Sequence, residues 1–178
     1  MIGILALQGA FEKHAEMLEK LGEAVRFVKR PSDLNGCSGL VIPGGESTTM
    51  RIHLKRMEMI PALKRFAEGS PIFGTCAGLI LMANELDILD VEIKRNGYGP
   101  QVYSFSQPLD SDLFSAFQGV FIRAPRIQSI GNEVDVLASC GEEPVLVRQG
   151  RHLGATFHPE LTEDSRIHQE FLSRKKIH

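Results

Sequence analysis

No stretch of this chain approaches the roughly 20 consecutive apolar residues that a helix needs to cross a bilayer. The first apolar run, Ile2 to Leu7, stops at Gln8-Gly9 and has no basic segment before it, so it does not read as a signal peptide. The expectation is a cytoplasmic protein. Excess positive charge is also missing: 20 basic residues stand against 22 acidic ones, for a formal net charge of −2. That balance gives no electrostatic case for nucleic acid as the main partner. The run Arg174-Lys175-Lys176 reads instead as a helix C-terminus, where cations complement the dipole. Cysteine is scarce, and Cys37, Cys76 and Cys140 form no close-spaced pair. An odd count without a Cys-x-x-Cys pair argues against a disulfide framework and against a zinc site. His53, His152, His168 and His178 show no metal-ligand spacing, and neither a metal nor an organic cofactor is expected. Internal repeats, low-complexity segments and linkers are all lacking. A chain of 178 residues therefore reads as one domain, 1–178, with a single sizeable core.

What the chain does contain is alternation. Ile2 to Leu7 reads as a buried strand. Phe11, His14, Ala15, Leu18 and Leu21 then recur at helical spacing, and Gly22 follows as a stop. Ala24 to Val28 and Leu40 to Ile42 are the next strands. A helical stretch from about Thr48 to Glu68 is expected to break before Pro61. Pro71 to Gly74 is a fourth strand and Ala77 to Glu85 the next helix. Strands alternating with helices imply right-handed crossovers and a mostly parallel sheet covered on both faces. The second half carries short strands with little helix between them: Val91–Ile93, Gln101–Phe105, Val120–Ile122, Val134–Ala138, Val145–Val147 and Leu153–Phe157. These predict antiparallel additions at one side of the sheet. A last helix from about Asp164 turns Ile167, Phe171 and Leu172 inward.

Three motifs carry chemistry. In Phe73-Gly74-Thr75-Cys76-Ala77-Gly78 a strand runs through Gly-x-Cys-x-Gly straight into a helix, the thiol form of a nucleophile elbow. The glycines allow a tight turn and close approach of neighbouring backbone. The cysteine then sits beside the positive end of a helix, which favours thiolate, and the Ala77 N–H is placed to help stabilise an oxyanion. The plain alternative is a buried structural cysteine in a glycine-rich turn. In Thr156-Phe157-His158-Pro159-Glu160, residues 158 and 160 of an extended segment face the same way. His158 then serves as base for a cysteine nucleophile, with the Glu160 carboxylate fixing its tautomer; alone, the string could be a solvated turn. Pro43-Gly44-Gly45-Glu46-Ser47-Thr48-Thr49 joins a strand to a helix. Its Gly-Gly turn can present N–H groups to a developing negative charge. It lacks the Gly-Lys-Ser/Thr ending of a phosphate loop, so ATP or GTP is not expected. Ser47, Thr48 and Thr49 are all cap-competent and also suit a plain helix start. His14, on the apolar side of the first helix, reads as a packed or hydrogen-bonded core-edge residue. Cys37 and Cys140, in Gly-containing turns, read as structural.

Gly44-Gly45-Glu46-Ser47, Gly74-Thr75-Cys76-Ala77-Gly78 and His158-Pro159-Glu160 resemble the class I glutamine amidotransferases. Leu7-Gln8-Gly9, Pro43 to Thr49, Gly74 to Leu81, Arg95-Asn96-Gly97-Tyr98-Gly99, Val120 to Pro125 and Phe157 to Thr162 narrow the resemblance to the glutaminase subunits of pyridoxal 5′-phosphate synthase. The match runs in order along nearly the whole chain. It implies a three-layer, flavodoxin-like α/β fold and hydrolysis of L-glutamine to glutamate and ammonia. It also implies a (β/α)₈ synthase partner that receives the ammonia. Carried onto this chain, it implies a Cys76, His158 and Glu160 triad. Glutamine is expected on Gly45, Glu46, Ser47, Arg95, Ile122 and Arg123, and the oxyanion on Gly45 and Ala77. Arginines suit a substrate carboxylate through charge-assisted hydrogen bonds, and Glu46 could serve its ammonium. Without the resemblance, Arg95 reads as a solvated cation and Arg123 as part of a surface turn. Pro100, Tyr103 and Ser106 stand where such subunits carry Arg, an acid and Glu, at the pocket rim or the synthase contact. A glutaminase serving another synthase, a different hydrolase of the same fold and a binding module are the alternatives. The Gly-Gly-Glu-Ser-Thr-Thr and Phe-Ile-Arg-Ala-Pro strings argue against the first, and the intact Cys-His-Glu set against the last.

Overall fold

The computed structural model describes residues 1–98 and 104–175. A seven-stranded sheet forms its centre, in the order β2-β1-β3-β4-β11-β10-β9. The strands are β1 (Ile2–Leu5), β2 (Val25–Val28), β3 (Gly39–Ile42), β4 (Ile72–Thr75), β9 (Val134–Cys140), β10 (Glu143–Gln149) and β11 (His152–Ala155). Neighbours from β2 through β11 pair in parallel, and β10 and β9 then add antiparallel at the β11 side. The expected α/β architecture, mostly parallel with antiparallel additions, is therefore present. Four further strands pair outside the main sheet. β5 (Val91–Lys94) joins β8 (Arg126–Ile130), and β6 (Ser104–Pro108) joins β7 (Gln118–Ile122), both antiparallel. Of these, β8 was not foreseen from the sequence. Arg126, Gln128 and Ser129 dilute its apolar signal, and burial is confined to Ile127 while its other residues are half-buried or exposed.

Period-two alternation sorts each central strand between two cores. Ile2 and Ile4 of β1, and Val41 of β3, face one side with Phe73, Phe121, Phe157 and Phe171. Leu5, Leu40 and Ile42 face the other, with Met50, Leu54, Leu63 and Leu79. The first side is covered by α1 (Phe11–Lys20) and α5 (Arg166–Leu172), whose Leu18, Ile167 and Phe171 are fully buried. The second is covered by α2 (Ser47–Arg56), α3 (Met59–Gly69) and α4 (Ala77–Asn84). The break in the long helical stretch falls at Met57-Glu58, ahead of Pro61. Glu58 adopts left-handed φ 53° as the residue before α3, which places Pro61 in that helix's first turn, where its missing N–H costs nothing. α4 is buried continuously from Ala77 to Met82 because it packs against β4, β11 and β5. Among the described residues no helix is long and apolar enough to cross a membrane.

Near the end of the chain, Lys175 pairs with Glu23 and Arg174 with Glu170. Both cations are thus engaged by carboxylates; Lys176 lies outside the described residues. Pro100, Tyr103 and the first residues of the expected 101–105 strand also lie outside them. Ser106 sits exposed on β6.

Candidate active site

Three adjacent parallel strands deliver the three motifs to one end of the sheet. β3 ends at Ile42, followed by Pro43-Gly44-Gly45. β4 ends at Thr75, followed by Cys76. β11 ends at Ala155, three residues before His158. Open α/β sheets place their sites at the carboxyl ends of such strands. Cys76 has φ 50° and ψ −106°, immediately before α4. A non-glycine residue in that region costs of order 1–3 kcal/mol and persists only where its surroundings fix it. Here the Cys76 N–H donates to the Ala155 carbonyl at 2.8 Å, tying the elbow to β11. Gly78 lets the turn come close: a Cβ there would lie 2.0 Å from the Ile42 carbonyl oxygen. The thiol is 7% exposed, with Sγ 3.8 Å from the Ile122 carbonyl oxygen.

His158 is buried and lies beside Cys76, both side chains standing against Gly44. Its Nδ1 lies 2.7 Å from Glu160 Oε1. The route to that contact differs from the expected extended segment. Pro159–Leu161 is a turn of 3₁₀ helix with His158 as the residue before it, and the proline, with φ preset for the first helical position, starts the turn. Burial alone would lower the His158 pKa. Its interactions with Cys76 and Glu160 outweigh burial and raise it to about 10. Burial works in the opposite sense on Glu160, yet the proximity of His14 and the hydrogen bond and charge of His158 bring the net shift downward. The arrangement therefore favours imidazolium beside carboxylate.

The Gly44-Gly45 turn lies over this pair. A Cβ on Gly44 would stand 2.5 Å from His158 Cε1 and 3.4 Å from the Cys76 Cβ, so no side chain fits there. Gln8 supports the turn through its side-chain amide, which donates to the Glu46 carbonyl at 2.8 Å. Gly9, with φ 87°, leaves room for the Gly44 carbonyl, which a Cβ would meet at 1.8 Å. Gln8 carried no individual role in the sequence reading; its only trace there was the Leu7-Gln8-Gly9 string.

The candidate glutamine-binding residues gather around the same end. Ile122 ends β7 and Arg123 follows it; the strand is joined to the site by the His158 N–H donating to the Val120 carbonyl at 2.8 Å. Arg123 itself adopts φ 44°. Arg95, just past β5, donates from Nη1 to Thr48 Oγ1 at 3.1 Å and so reaches the start of α2. Ser47 is buried there. Glu46, expected on the substrate, is also engaged within the fold. Its carboxylate accepts from the Thr48 and Thr49 N–H groups at 3.0 and 2.7 Å and from the Thr49 hydroxyl at 2.7 Å. Those bonds, the Thr49 hydroxyl first, hold its pKa down at about 2. Glu46, rather than Ser47, Thr48 or Thr49, is thus the cap of α2.

His14 is not at the core's edge. It is fully buried beneath Glu160, with Nε2 3.4 Å from Glu160 Oε2 and Nδ1 2.9 Å from His168 Nε2. Among the described residues no group of three or more His, Cys, Asp or Glu side chains is arranged to hold a metal ion.

Comparison with known proteins agrees with this geometry. Over 98% of both chains, the sequence is 46% identical to the pyridoxal 5′-phosphate synthase subunit PdxT of Thermosipho africanus. It is 47% identical to the PdxT subunit of Francisella philomiragia over 97% of both chains. A crystal structure of a glutamine amidotransferase superposes with a TM-score of 0.92 at 41% identity, covering 97% of each chain. A structure described as a GMP synthase subunit from Thermoplasma acidophilum shares the fold, with a TM-score of 0.74 at 18% identity over 97% of this chain and 92% of that one. Residues 4–176 match the family of SNO glutamine amidotransferases. With a cysteine elbow, a histidine–carboxylate pair and a Gly-Gly turn meeting at one sheet end, and with that likeness along its length, the chain belongs to the SNO glutamine amidotransferase family.

Proposed function

We propose that this chain is the glutaminase of a pyridoxal 5′-phosphate synthase, hydrolysing L-glutamine and passing the ammonia to a (β/α)₈ synthase subunit. The observation that carries the chemistry is the His158–Glu160 pair, Nδ1 2.7 Å from Oε1, set beside Cys76 under the Gly44-Gly45 turn. The likeness to PdxT subunits carries the destination of the ammonia.

In this reading the Cys76 thiolate attacks the side-chain amide carbon of glutamine, and the carbonyl π electrons move to oxygen. The N–H groups of Ala77 and Gly45 receive that oxyanion; the first amides of a helix have no intrahelical partner and are available for it. The His158 imidazolium gives its proton to the amide nitrogen, the C–N bond breaks, and ammonia leaves a γ-glutamyl thioester on Cys76. Neutral His158 then takes a proton from water as the water oxygen attacks the thioester carbon. Expulsion of the thiolate releases glutamate and restores the starting ion pair. Glu160 orients His158 throughout. Ser47, Arg95, Ile122 and Arg123 line the approach and hold the α-amino and α-carboxyl ends of the substrate, together with the backbone of Gly45 and Glu46. Glu46 reaches substrate through its backbone because its carboxylate caps α2.

The test is glutamate release from L-glutamine by the chain with its synthase subunit. Release, together with its loss in Cys76→Ala, supports the reading. Absence of release from the assembled pair would refute it.

A further inference from the structure

The Glu160 carboxylate is fully buried, and only one of its two oxygens is engaged. Oε1 meets His158, while Oε2 has no hydrogen-bond partner among the described residues. A buried carboxylate oxygen left unpaired loses its hydration without replacement and is costly. The ring nitrogen placed to relieve it is His14 Nε2, 3.4 Å away and also 3.2 Å from Thr75 Oγ1, the residue before the nucleophile. Behind His14 stands His168, with Nε2 2.9 Å from His14 Nδ1 and with Nδ1 buried and without a hydrogen-bond partner among the described residues. α1 and α5 thus bring two fully buried histidines under the end of the sheet that carries the site. The mechanism above uses neither.

We propose that His14 is a positioning residue for the glutaminase reaction: its Nε2–H holds Oε2 of Glu160, and His168 fixes the tautomer that makes this possible. The inference rests on the Cys76–His158–Glu160 reading and extends it. Tautomer logic follows from counting donors. Glu160 is ionised and only accepts, so His14 must carry its proton on Nε2. Its Nδ1 then accepts, and His168 must donate from Nε2. The orphan left at His168 Nδ1 is a bare lone pair. The reverse assignment would leave a buried N–H without an acceptor and point a lone pair at a carboxylate. Burial keeps both histidines neutral at pH 7, the His168 pKa falling to about 3, so His14 acts as a dipolar donor. The titrating groups around it are Glu160 and His158 at the turn and His168 on α5. Lys13, Glu16 and Lys20 of α1, with Glu163, line a small cleft against the outer side of Glu160.

Held at both oxygens, the carboxylate keeps one orientation toward His158 Nδ1 and stays ionised. Losing a hydrogen-bond donor raises a buried carboxylate's pKa. Protonated Glu160 cannot orient His158, so the acidic limb of activity moves up with it.

The test has two parts. In the complex with the synthase subunit, the acidic limb of the kcat/KM profile for glutamine is compared among wild type, His14→Phe and His14→Gln. His14→Phe should shift the limb upward by about one pH unit, the order a single hydrogen bond contributes. His14→Gln, whose side-chain amide replaces the Nε2–H donor, should restore most of it. A folded His14→Phe complex with an unshifted limb would overturn the proposal. Nitrogen-15 spectra of the unaltered chain decide the tautomers without any variant. Nε2–H on both His14 and His168 supports the proposal, and Nδ1–H on His14 overturns it. Cys76→Ala separates the two readings: residual glutaminase there would refute the triad itself, whereas its loss with an unshifted His14→Phe limb refutes only the role of His14.

Discussion

Cys76 is held at φ 50° by its neighbours, and releasing that strain should be measurable. Cys76→Ala and Cys76→Gly are both expected to lose glutaminase activity by at least a few orders of magnitude. Glycine adopts this backbone without cost, so Cys76→Gly should be the more stable of the two by about 1 kcal/mol; urea denaturation of the pair checks it, and equal midpoints would mean the elbow is unstrained. The charge state of His158 gives a second prediction. Its pKa is raised from 6.5 to about 10. By linkage, its contribution to stability is complete below about pH 6.5 and is lost as pH rises through about 10. A proton NMR titration should show the His158 ring unchanged through neutral pH, and a midpoint near 6.5 would contradict the ion pair. At this scale the sequence was informative about which residues meet and less so about how. His158 and Glu160 stand two apart and do touch, but through a 3₁₀ turn that Pro159 starts rather than along an extended segment. His14 was misplaced because spacing on α1 shows only that it faces inward. That Glu160 and His168 lie there too depends on contacts spanning most of the chain.

Among the elements, α2 shows a residue of the expected glutamine site serving also as a helix cap. The Glu46 carboxylate satisfies two amides of the first turn. Glu46→Ala should destabilise the chain by about 0.5–2 kcal/mol, the usual range for a lost cap, as read by thermal or urea unfolding. The depressed Glu46 pKa adds a signed pH effect: the cap's charge-dependent part is complete above about pH 4.5 and fades as pH falls toward about 2. Glu46→Gln should flatten stability in that window relative to wild type, and an unchanged profile would mean the capping bonds do not form in solution. The strand–helix alternation of the first half was legible because each element is short, apolar and punctuated by glycine or proline. β8 was not, since a strand in a separate two-stranded sheet needs little apolar patterning. The interruption ahead of Pro61 was legible because proline marks a helix's first turn as readily as the end of the one before it.

For the whole molecule, the two cores lie on opposite faces of one sheet, and single strands such as β1 and β3 contribute to both. Such sharing couples the faces, and we expect the chain to unfold as one domain. Urea curves followed by far-ultraviolet circular dichroism and by an intrinsic tyrosine probe should coincide, and separated midpoints would divide the chain into two units. The parallel order β3-β4-β11 was the decisive global fact for the site, because it sets the Gly-Gly turn, the elbow and the histidine side by side. That order cannot be read from local pattern: β11 follows β4 in space but is separated from it in sequence by six other strands. The resemblance implied the fold and the triad, and the structure gives the order.

The central claim is that Cys76 of this chain takes ammonia from glutamine for a synthase partner. It is tested most directly by measuring glutamate release from L-glutamine together with pyridoxal 5′-phosphate formation, in the assembled complex, for wild type and Cys76→Ala. The account predicts that the substitution abolishes both, and that added ammonium salt restores the vitamer without restoring glutamate release. Glutamate release that persists in Cys76→Ala would contradict it.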